Sequence, residues 1–440
     1  MTITSTNPST LQNKHSPHTS MMRILYTIGI QLYAFSIRIA TPFNHKASLM
    51  VKGWKDSWKK NALDTTNTLQ KTAWFHASSM GEFEQTRPLL EAFRATHADY
   101  RIVVTFFSPS GYEPRKNYPH ADVISYLPID SPSNAKRLVK LVNPNIVFFA
   151  KYDFWYNYLN ELRQNAIPTY LFSATFRPSQ YFFKWYGTWF LKQIKNCFTH
   201  IFVQDPSSLE LLQLNNIKQS HIANDTRFDR VYAIAQEAKT FPEIETFLTK
   251  EAKTIVVGSS WEPDEERLQQ FRNAHKDLSI KFIIAPHIIS PSHIENIENL
   301  FGKDYCIKYS DAKKSFSKGD LCYSTKQVMI IDNIGMLSSI YRYADIAYIG
   351  GGWGKGIHNI LEAVTYGKPV IFGPKYYKFN EAHAIIKTGG GASYCKQNQL
   401  NEILNTWLTD STIYQDASSK CILYIQNNLG GTNTILKHVI

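Results

Sequence analysis

The chain has 440 residues, 43% hydrophobic and 19% charged, with a net charge of +12. That length allows two or three domains with their own cores, and that composition excludes a disordered or fibrous chain. The positive balance suits anionic lipid, nucleic acid or a phosphorylated substrate without choosing among them. The five cysteines (Cys197, Cys306, Cys322, Cys395, Cys421) are scattered, odd in number and lack CxxC spacing, which predicts reduced thiols and no zinc site.

Residues 1–21 are polar, rich in Ser, Thr and Asn, and read as a disordered leader. Residues 22–60 read as a membrane-anchoring helix followed by a basic segment. The stretch from Ile24 to Ile37 is free of charge but only 14 residues long, whereas a spanning helix needs about 20. Leu25, Ile28, Leu32, Phe35 and Ile39 fall at helical spacing and predict one apolar stripe. Lys46, Lys52, Lys55, Lys59 and Lys60 follow, interleaved with Trp54 and Trp58. Basic residues and tryptophans beside an apolar helix are what an interfacial anchor needs. A cleaved signal peptide is disfavoured, because a polar leader precedes the stretch and no small-residue cleavage site stands out.

From Thr72 the pattern becomes strand, loop, helix, repeated. Strands are expected at Ala73–Phe75, Arg101–Phe107, Val123–Pro128, Ile146–Ala150, Thr169–Phe172 and His200–Val203. Apolar runs spaced by helical segments predict a parallel sheet covered on both faces. The aromatics Tyr181, Phe182, Phe183, Trp185, Tyr186, Trp189 and Phe190 fit either a buried helix or a second surface for lipid. A charged, helical stretch between Val231 and Lys253 marks the domain boundary, giving an N-terminal domain over 61–240 and a C-terminal domain over 241–440. Second-half strands are expected at Thr254–Val257, Lys281–Ile284, Val328–Ile331, Ile346–Ile349 and Val370–Phe372, with a helical tail from about Leu400. Two doubly wound halves of this kind form a cleft and bind ligands at the carboxyl ends of their strands.

The chemistry-bearing residues lie at those strand ends. Glu82, in His76-Ala77-Ser78-Ser79-Met80-Gly81-Glu82, stands at a strand-to-helix turn. It fits a general base as well as it fits a residue complementing the helix dipole. Arg227, in a run from Asn224 to Arg230, could grip an anion bidentately or pair with Asp225 or Asp229. Lys151 could face an anionic ligand or be a solvated loop lysine. In the second half, Gly258-Ser259-Ser260-Trp261 could offer backbone donors to a phosphate, and Pro286-His287 and Gly335-Met336-Leu337 follow further strands. The densest signal is Gly350 to Glu362. Its glycines at 350, 351, 352, 354 and 356 let backbone amides approach an anion. A helix is expected to start near His358-Asn359, with its N-terminus toward a phosphate and Glu362 one turn in, placed for a ribose hydroxyl. The alternative is an ordinary βαβ turn whose glycines serve tight packing.

The motifs HASSMGE, SPSG, LPID, DFW, NDTRFD, GSSW, APH, IGML and GGGWGKGIHNILEA, in that order, resemble the 3-deoxy-D-manno-octulosonic acid (Kdo) transferases from residue 22 to about 395. The resemblance implies an α/β GT-B fold with two Rossmann-like domains. It implies an inverting, metal-independent glycosyltransferase without a resident cofactor, moving Kdo from CMP-Kdo to the lipid A precursor at the cytoplasmic face of the inner membrane. The anionic membrane surface is then a partner and nucleic acid is not. Glu82 matches the family's general base, and Arg227 stands where the family has a lysine assigned to transition-state stabilisation. Pro286, His287, Gly335, Met336, Leu337, Gly351, Gly352, His358, Asn359, Ile360, Leu361 and Glu362 fall on CMP-sugar-binding segments. The family's P-R-H is Ala285-Pro286-His287 here, so an arginine is missing. Its E-T-E-L-W is Lys151 to Trp155, so the first glutamate is a lysine while Asp153 keeps a carboxylate close by. Another GT-B enzyme, a UDP-sugar transferase or epimerase, is the runner-up. A basic nucleic-acid-binding module is disfavoured by the absence of its motifs.

Overall fold

The computed structural model describes residues 17–59, 70–249 and 251–439; most of the expected leader, residues 1–16, and basic Lys60 lie outside them. The chain divides into two compact units, Met1–Arg227 with Gly430–Ile440, and Phe228–Leu429. The division falls ahead of residue 240, and the last helix belongs to the first unit rather than the second.

In the first unit, seven parallel strands, β1 (Lys71–Ala77), β2 (Tyr100–Phe106), β3 (Val123–Tyr126), β4 (Ile146–Ala150), β5 (Thr169–Ala174), β6 (His200–Val203) and β7 (Ser220–Ile222), form a sheet in the order β3-β2-β1-β4-β5-β6-β7. Side chains alternate between its faces. Ala73 and Phe75 enter one apolar layer with Phe148, while Trp74 enters the other with Val147 and Phe149. Strand order reverses between β1 and β4, the place where doubly wound sheets open a crevice at the carboxyl ends. The helix Gly431–Val439 sets Ile435 and Leu436 into the Phe75 layer.

Ahead of this sheet come α1 (Pro17–Ala40) and α2 (His45–Asp56). No helix among the described residues is long and apolar enough to cross a membrane. Tyr26, Ile30, Ala34 and Ile37 of α1 pack on the first unit, against neighbours that include Phe107, Tyr126 and Ile129. Gly53 of α2 lies on the Tyr126 ring, where a Cβ would come within 2.3 Å of it. The aromatic stretch splits the two sequence readings: Phe182 and Phe190 are buried, and Tyr181, Trp185 and Tyr186 are exposed.

The second unit repeats the plan. β8 (Lys253–Ser260), β9 (Ile280–Pro286), β10 (Cys306–Lys308), β11 (Val328–Ile330), β12 (Ile346–Ile349), β13 (Val370–Phe372) and β14 (Gly391–Ser393) run parallel in the order β10-β11-β9-β8-β12-β13-β14. The order reverses between β8 and β12, so the ends of these two strands frame the second crevice. The sequence reading missed β7, β10 and β14, each three residues long and at the outer edge of its sheet, where a strand need not be a continuous apolar run.

Candidate active site

The first reversal point carries Glu82. After β1 the chain turns through Ser78-Ser79 into α3 (Met80–Thr96), with Ser79 as N-cap and Glu82 in the first turn. The Ser79 hydroxyl donates to Glu82 Oε2. This fixes the half-buried carboxylate as an acceptor on the strand-end side. Next to it, after β4, stands Asp153. The Ser78 N–H donates to its Oδ2 (3.0 Å) and the Ser78 hydroxyl to its Oδ1. Burial raises the Asp153 carboxyl to about 7; the Ser78 bonds oppose the shift and the Glu82 charge adds to it. Lys151, just before, holds a left-handed φ of 57°, and its N–H donates to the Phe172 carbonyl (2.9 Å).

Beneath these carboxylates lies a buried polar chain. Trp155 Nε1–H donates to His76 Nε2 (3.1 Å), which assigns the ring proton to Nδ1, and Nδ1–H donates to Thr105 Oγ1 (2.9 Å). Thr105 Oγ1 also accepts from Trp74 Nε1 (2.8 Å). Burial lowers His76 to about 3, so the ring is neutral, and its 3.8 Å approach to Asp153 is a polar contact rather than an ion pair.

Arg227 is committed to Asp225. Its Nε and NH2 reach Asp225 Oδ2 at 2.9 and 2.7 Å, and its backbone N–H reaches Oδ1 at 2.9 Å. Gln85 Nε2 (2.9 Å) and Gln204 Nε2 (3.2 Å) donate to the same carboxylate. Burial alone would raise Asp225; the adjoining guanidinium overcomes it and holds the carboxyl below the usual range. The pairing with Asp225, one of the two sequence readings of Arg227, is present in the structure.

At the second reversal point the glycine loop is packed closely against its own backbone neighbours. A Cβ on Gly350 would lie 2.2 Å from the Ser259 carbonyl oxygen, and one on Gly352 2.6 Å from Gly373 Cα. The Gly350 and His358 amides bond Gly258 and Gly350 carbonyls (2.9 and 3.1 Å), and the Gly354 amide bonds Gly351 (3.0 Å). The Gly351 amide donates to buried Asp264 (3.0 Å). These amides serve packing. The helix expected from His358 is only Leu361–Val364. Asn359 makes its entry, accepting from the Leu361 N–H (3.1 Å) and donating to Glu362 Oε1 (3.0 Å).

What this crevice presents instead is a ring stack. Trp261, His287 and His358 come from the ends of β8, β9 and β12. Ring centroids are 4.6 Å apart for Trp261–His287 and 4.5 Å for His287–His358. Trp261 Nε1 donates to His358 Nε2 (3.3 Å). Burial, then the neighbouring His287, lowers His358 to about 4, so it is a neutral acceptor at pH 7. Gly335 is exposed with φ +93°. The side chains of Pro286, Met336, Ile360 and Leu361 are buried, leaving only backbone to meet a ligand, and Leu337 packs partly into the core.

Sequence reading missed Asp264. It accepts from the Gly351 amide, the Trp261 amide (3.0 Å) and the Tyr348 hydroxyl (2.8 Å), joining both sides of the crevice. The only signal was an acidic first turn in Glu262–Ala274, which helices commonly carry. Among the described residues no group of three or more His, Cys, Asp or Glu is placed to hold a metal ion.

Comparison with known proteins agrees with this fold. A family model described as 3-deoxy-D-manno-octulosonic-acid transferase (kdotransferase) matches residues 53–230. The 3-deoxy-D-manno-octulosonic acid transferase of Chlamydia muridarum (strain MoPn / Nigg) is 27% identical over 354 residues, 76% of this chain and 77% of that protein. Among solved structures, UDP-GlcNAc 2-epimerase from Neisseria meningitidis bound to UDP-GlcNAc has a TM-score of 0.58 at 14% identity, covering 84% of this chain and 99% of that one. MurG from Acinetobacter baumannii has a TM-score of 0.53 at 12% identity, covering 83% and 98%. At these identities the two structures show the fold, two Rossmann-like α/β halves of the GT-B kind.

Proposed function

We propose that this chain, a glycosyltransferase that resembles the Kdo transferases over most of its length, transfers Kdo from CMP-Kdo to the lipid A precursor lipid IVA in lipopolysaccharide core biosynthesis. The observation that carries the reading is Glu82: an ionisable carboxylate oriented by Ser79 at the strand-order reversal of the first sheet, within the segment the family model matches.

In this reading the second unit holds the donor at the ends of β8, β9 and β12, with the nucleotide against Trp261, His287, His358 and the Asn359–Glu362 segment. The acceptor lipid meets the first unit. Glu82 takes the proton of the acceptor hydroxyl as that oxygen bonds to the anomeric carbon of Kdo. The bond from that carbon to the CMP phosphate oxygen breaks, the configuration inverts, and CMP leaves. A four-residue helix supplies little dipole, so the departing charge is met by side chains. Lys375, whose Nζ donates to the Trp353 carbonyl at 3.1 Å, fits that role, as does Lys355 on the loop. No metal or resident cofactor enters the scheme. The place of action is the cytoplasmic face of the inner membrane, with anionic lipid and not nucleic acid as the partner surface.

The test is mass spectrometry of lipid IVA incubated with the protein and a CMP-Kdo generating system, beside parallel reactions with UDP-sugars. Addition of Kdo mass supports the reading. Turnover of a UDP-sugar, with none of CMP-Kdo, replaces it with the runner-up.

A further inference from the structure

Trp353 stands in the middle of the Gly350–Gly356 loop, between two cations from different elements. The Arg267 guanidinium lies 3.7 Å from the centre of the Trp353 ring. Lys375, on the loop after β13, donates from Nζ to the Trp353 carbonyl (3.1 Å) and from its backbone N–H to the Gly352 carbonyl (2.9 Å). Tyr394 meets the Trp353 ring edge-on at 5.5 Å and is itself buried, bonded to the Tyr348 hydroxyl (2.7 Å). The indole is therefore a fixed plate with a cation on its ring and another on its carbonyl.

Arg267 belongs to the helix Glu262–Ala274, which follows β8. Side chains on a helix lean toward its N-terminus, and that end of this helix lies at the carboxyl edge of the sheet. The half-buried Arg267 reaches back in that direction, and its Nη1–H donates to the Pro263 carbonyl (2.7 Å). The acids beside it are engaged elsewhere. Asp264 accepts from Gly351, Trp261 and Tyr348, and Glu265 accepts from Ser260 (2.7 Å) and faces His293 (3.1 Å). Among the described residues no ion pair joins Arg267 to a carboxylate.

The charge around Trp353 has one sign. Lys355 is exposed on the same loop. The sequence from Gly350 to Leu361 contains no Asp or Glu, and neither does that from Ala363 to Asn380, which carries Lys375 and Lys378. Glu362, between them, accepts from Asn359 (3.0 Å). A guanidinium and an ammonium held on one rigid residue fit a ligand with two anionic groups side by side. A CMP-linked 2-keto sugar acid is such a ligand, because its anomeric carbon bears both a carboxylate and the phosphate ester oxygen. The planar fork of arginine matches the carboxylate, and the point charge of lysine suits the phosphate. A UDP-linked neutral sugar has phosphates and no carboxylate at that carbon.

We propose that Arg267, braced on the Trp353 ring, binds the carboxylate of the donor sugar, with Lys375 on the adjoining phosphate, and so selects an acidic donor sugar over a neutral one. The inference rests on the reading of the donor as CMP-Kdo. It adds the residue that recognises the acid group of the sugar.

Calorimetric titration of the full chain with CMP-Kdo, in the absence of acceptor, and with CMP separates recognition of the sugar from recognition of the nucleotide. Arg267→Ala should weaken CMP-Kdo binding about 10-fold or more while CMP binding stays within about 2-fold of wild type. Arg267→Lys keeps the charge without the fork and should recover part of the loss. In transfer assays the loss should appear in donor KM more than in kcat. A parallel loss of CMP and CMP-Kdo binding means that Arg267 only props the loop, and overturns the proposal. CMP-Kdo binding at wild-type strength by Arg267→Ala overturns it too, and if that variant's parent transfers Kdo the functional reading stands without it. Arg267-dependent binding of CMP-Kdo with no transfer to lipid IVA counts against the function and not against the role of Arg267. A wild-type chain that binds no CMP-Kdo overturns both.

Discussion

Ser78 gives both its backbone N–H and its hydroxyl to the carboxylate of Asp153, across the boundary between β1 and β4. That grip fixes the turn from which Glu82 projects. It also buries an acid whose carboxyl moves from its ordinary 3.8 to about 7, chiefly through desolvation. A raised carboxyl means that the folded state keeps a proton the unfolded chain releases near pH 4. The stability it contributes is complete below that pH and is lost as pH rises through about 7. Asp153→Asn can keep both partners of Ser78 and cannot ionise. Its melting temperature relative to wild type should therefore climb between pH 5 and pH 8, at roughly 2–4 °C for each kcal/mol for a unit of this size. A difference that stays flat over that range would show that Asp153 ionises as an ordinary surface acid.

Glu82→Gln should leave the fold intact, because glutamine still accepts from Ser79, and should remove the base. A loss of about 10²–10⁴ in kcat is expected, with donor KM little changed. Single-turnover transfer with CMP-Kdo, together with a titration of CMP binding, separates these terms. Full transfer by the variant would end the assignment of Glu82 as base.

The sequence made the framework legible because buried parallel strands are long apolar runs, and β1, β4, β8 and β12 all read that way. The two loops that matter, after β1 and after β12, could be found because serines and glycines at strand ends stand out against such runs. What stayed hidden was partnership. The carboxylate of Asp264 meets Tyr348 and Gly351, 84 and 87 positions away, and nothing local distinguishes it from a helix-start acid. The α1 stripe was identified residue by residue. Periodicity shows that a face is apolar and not which apolar face its own domain covers. The glycine loop shows the same limit: composition reports missing side chains, and only neighbours such as Gly373 and Ser259 reveal what lies against them.

Those neighbours make a graded prediction. Gly350→Ala and Gly352→Ala drive a Cβ into fixed backbone and should cost about 1–3 kcal/mol or more of stability, with loss of CMP binding. Gly354→Ala meets nothing nearer than 3.7 Å and should stay within about 0.5 kcal/mol of wild type. Asp264→Ala, which strips an acceptor from two amides and a tyrosine hydroxyl, should resemble the first pair. Thermal melts with and without CMP would rank the four. A Gly354 variant as damaged as Gly350 would mean that the loop's own amides, and not its packing, are what the glycines protect.

Arg227 separates a structural role from a catalytic one. Its guanidinium holds the buried Asp225 ionised against the cost of burial. Removing it leaves that carboxylate, among the described residues, to Gln85, Gln204 and the backbone N–H of residue 227, a change that typically costs about 3–5 kcal/mol. The pair's contribution is present above the ordinary carboxylate range and is lost as pH falls through the lowered value of Asp225. The melting gap between wild type and Arg227→Ala should therefore be widest at neutral pH and close in acid. Arg227→Lys restores a charge without the two-pronged fit, so it should recover part of the stability. If the lysine variant also restores transfer out of proportion to its melting temperature, the cation serves the reaction itself. If activity simply tracks stability through wild type, Lys and Ala, Arg227 acts through Asp225 and the loop that joins it to Gln85 on α3.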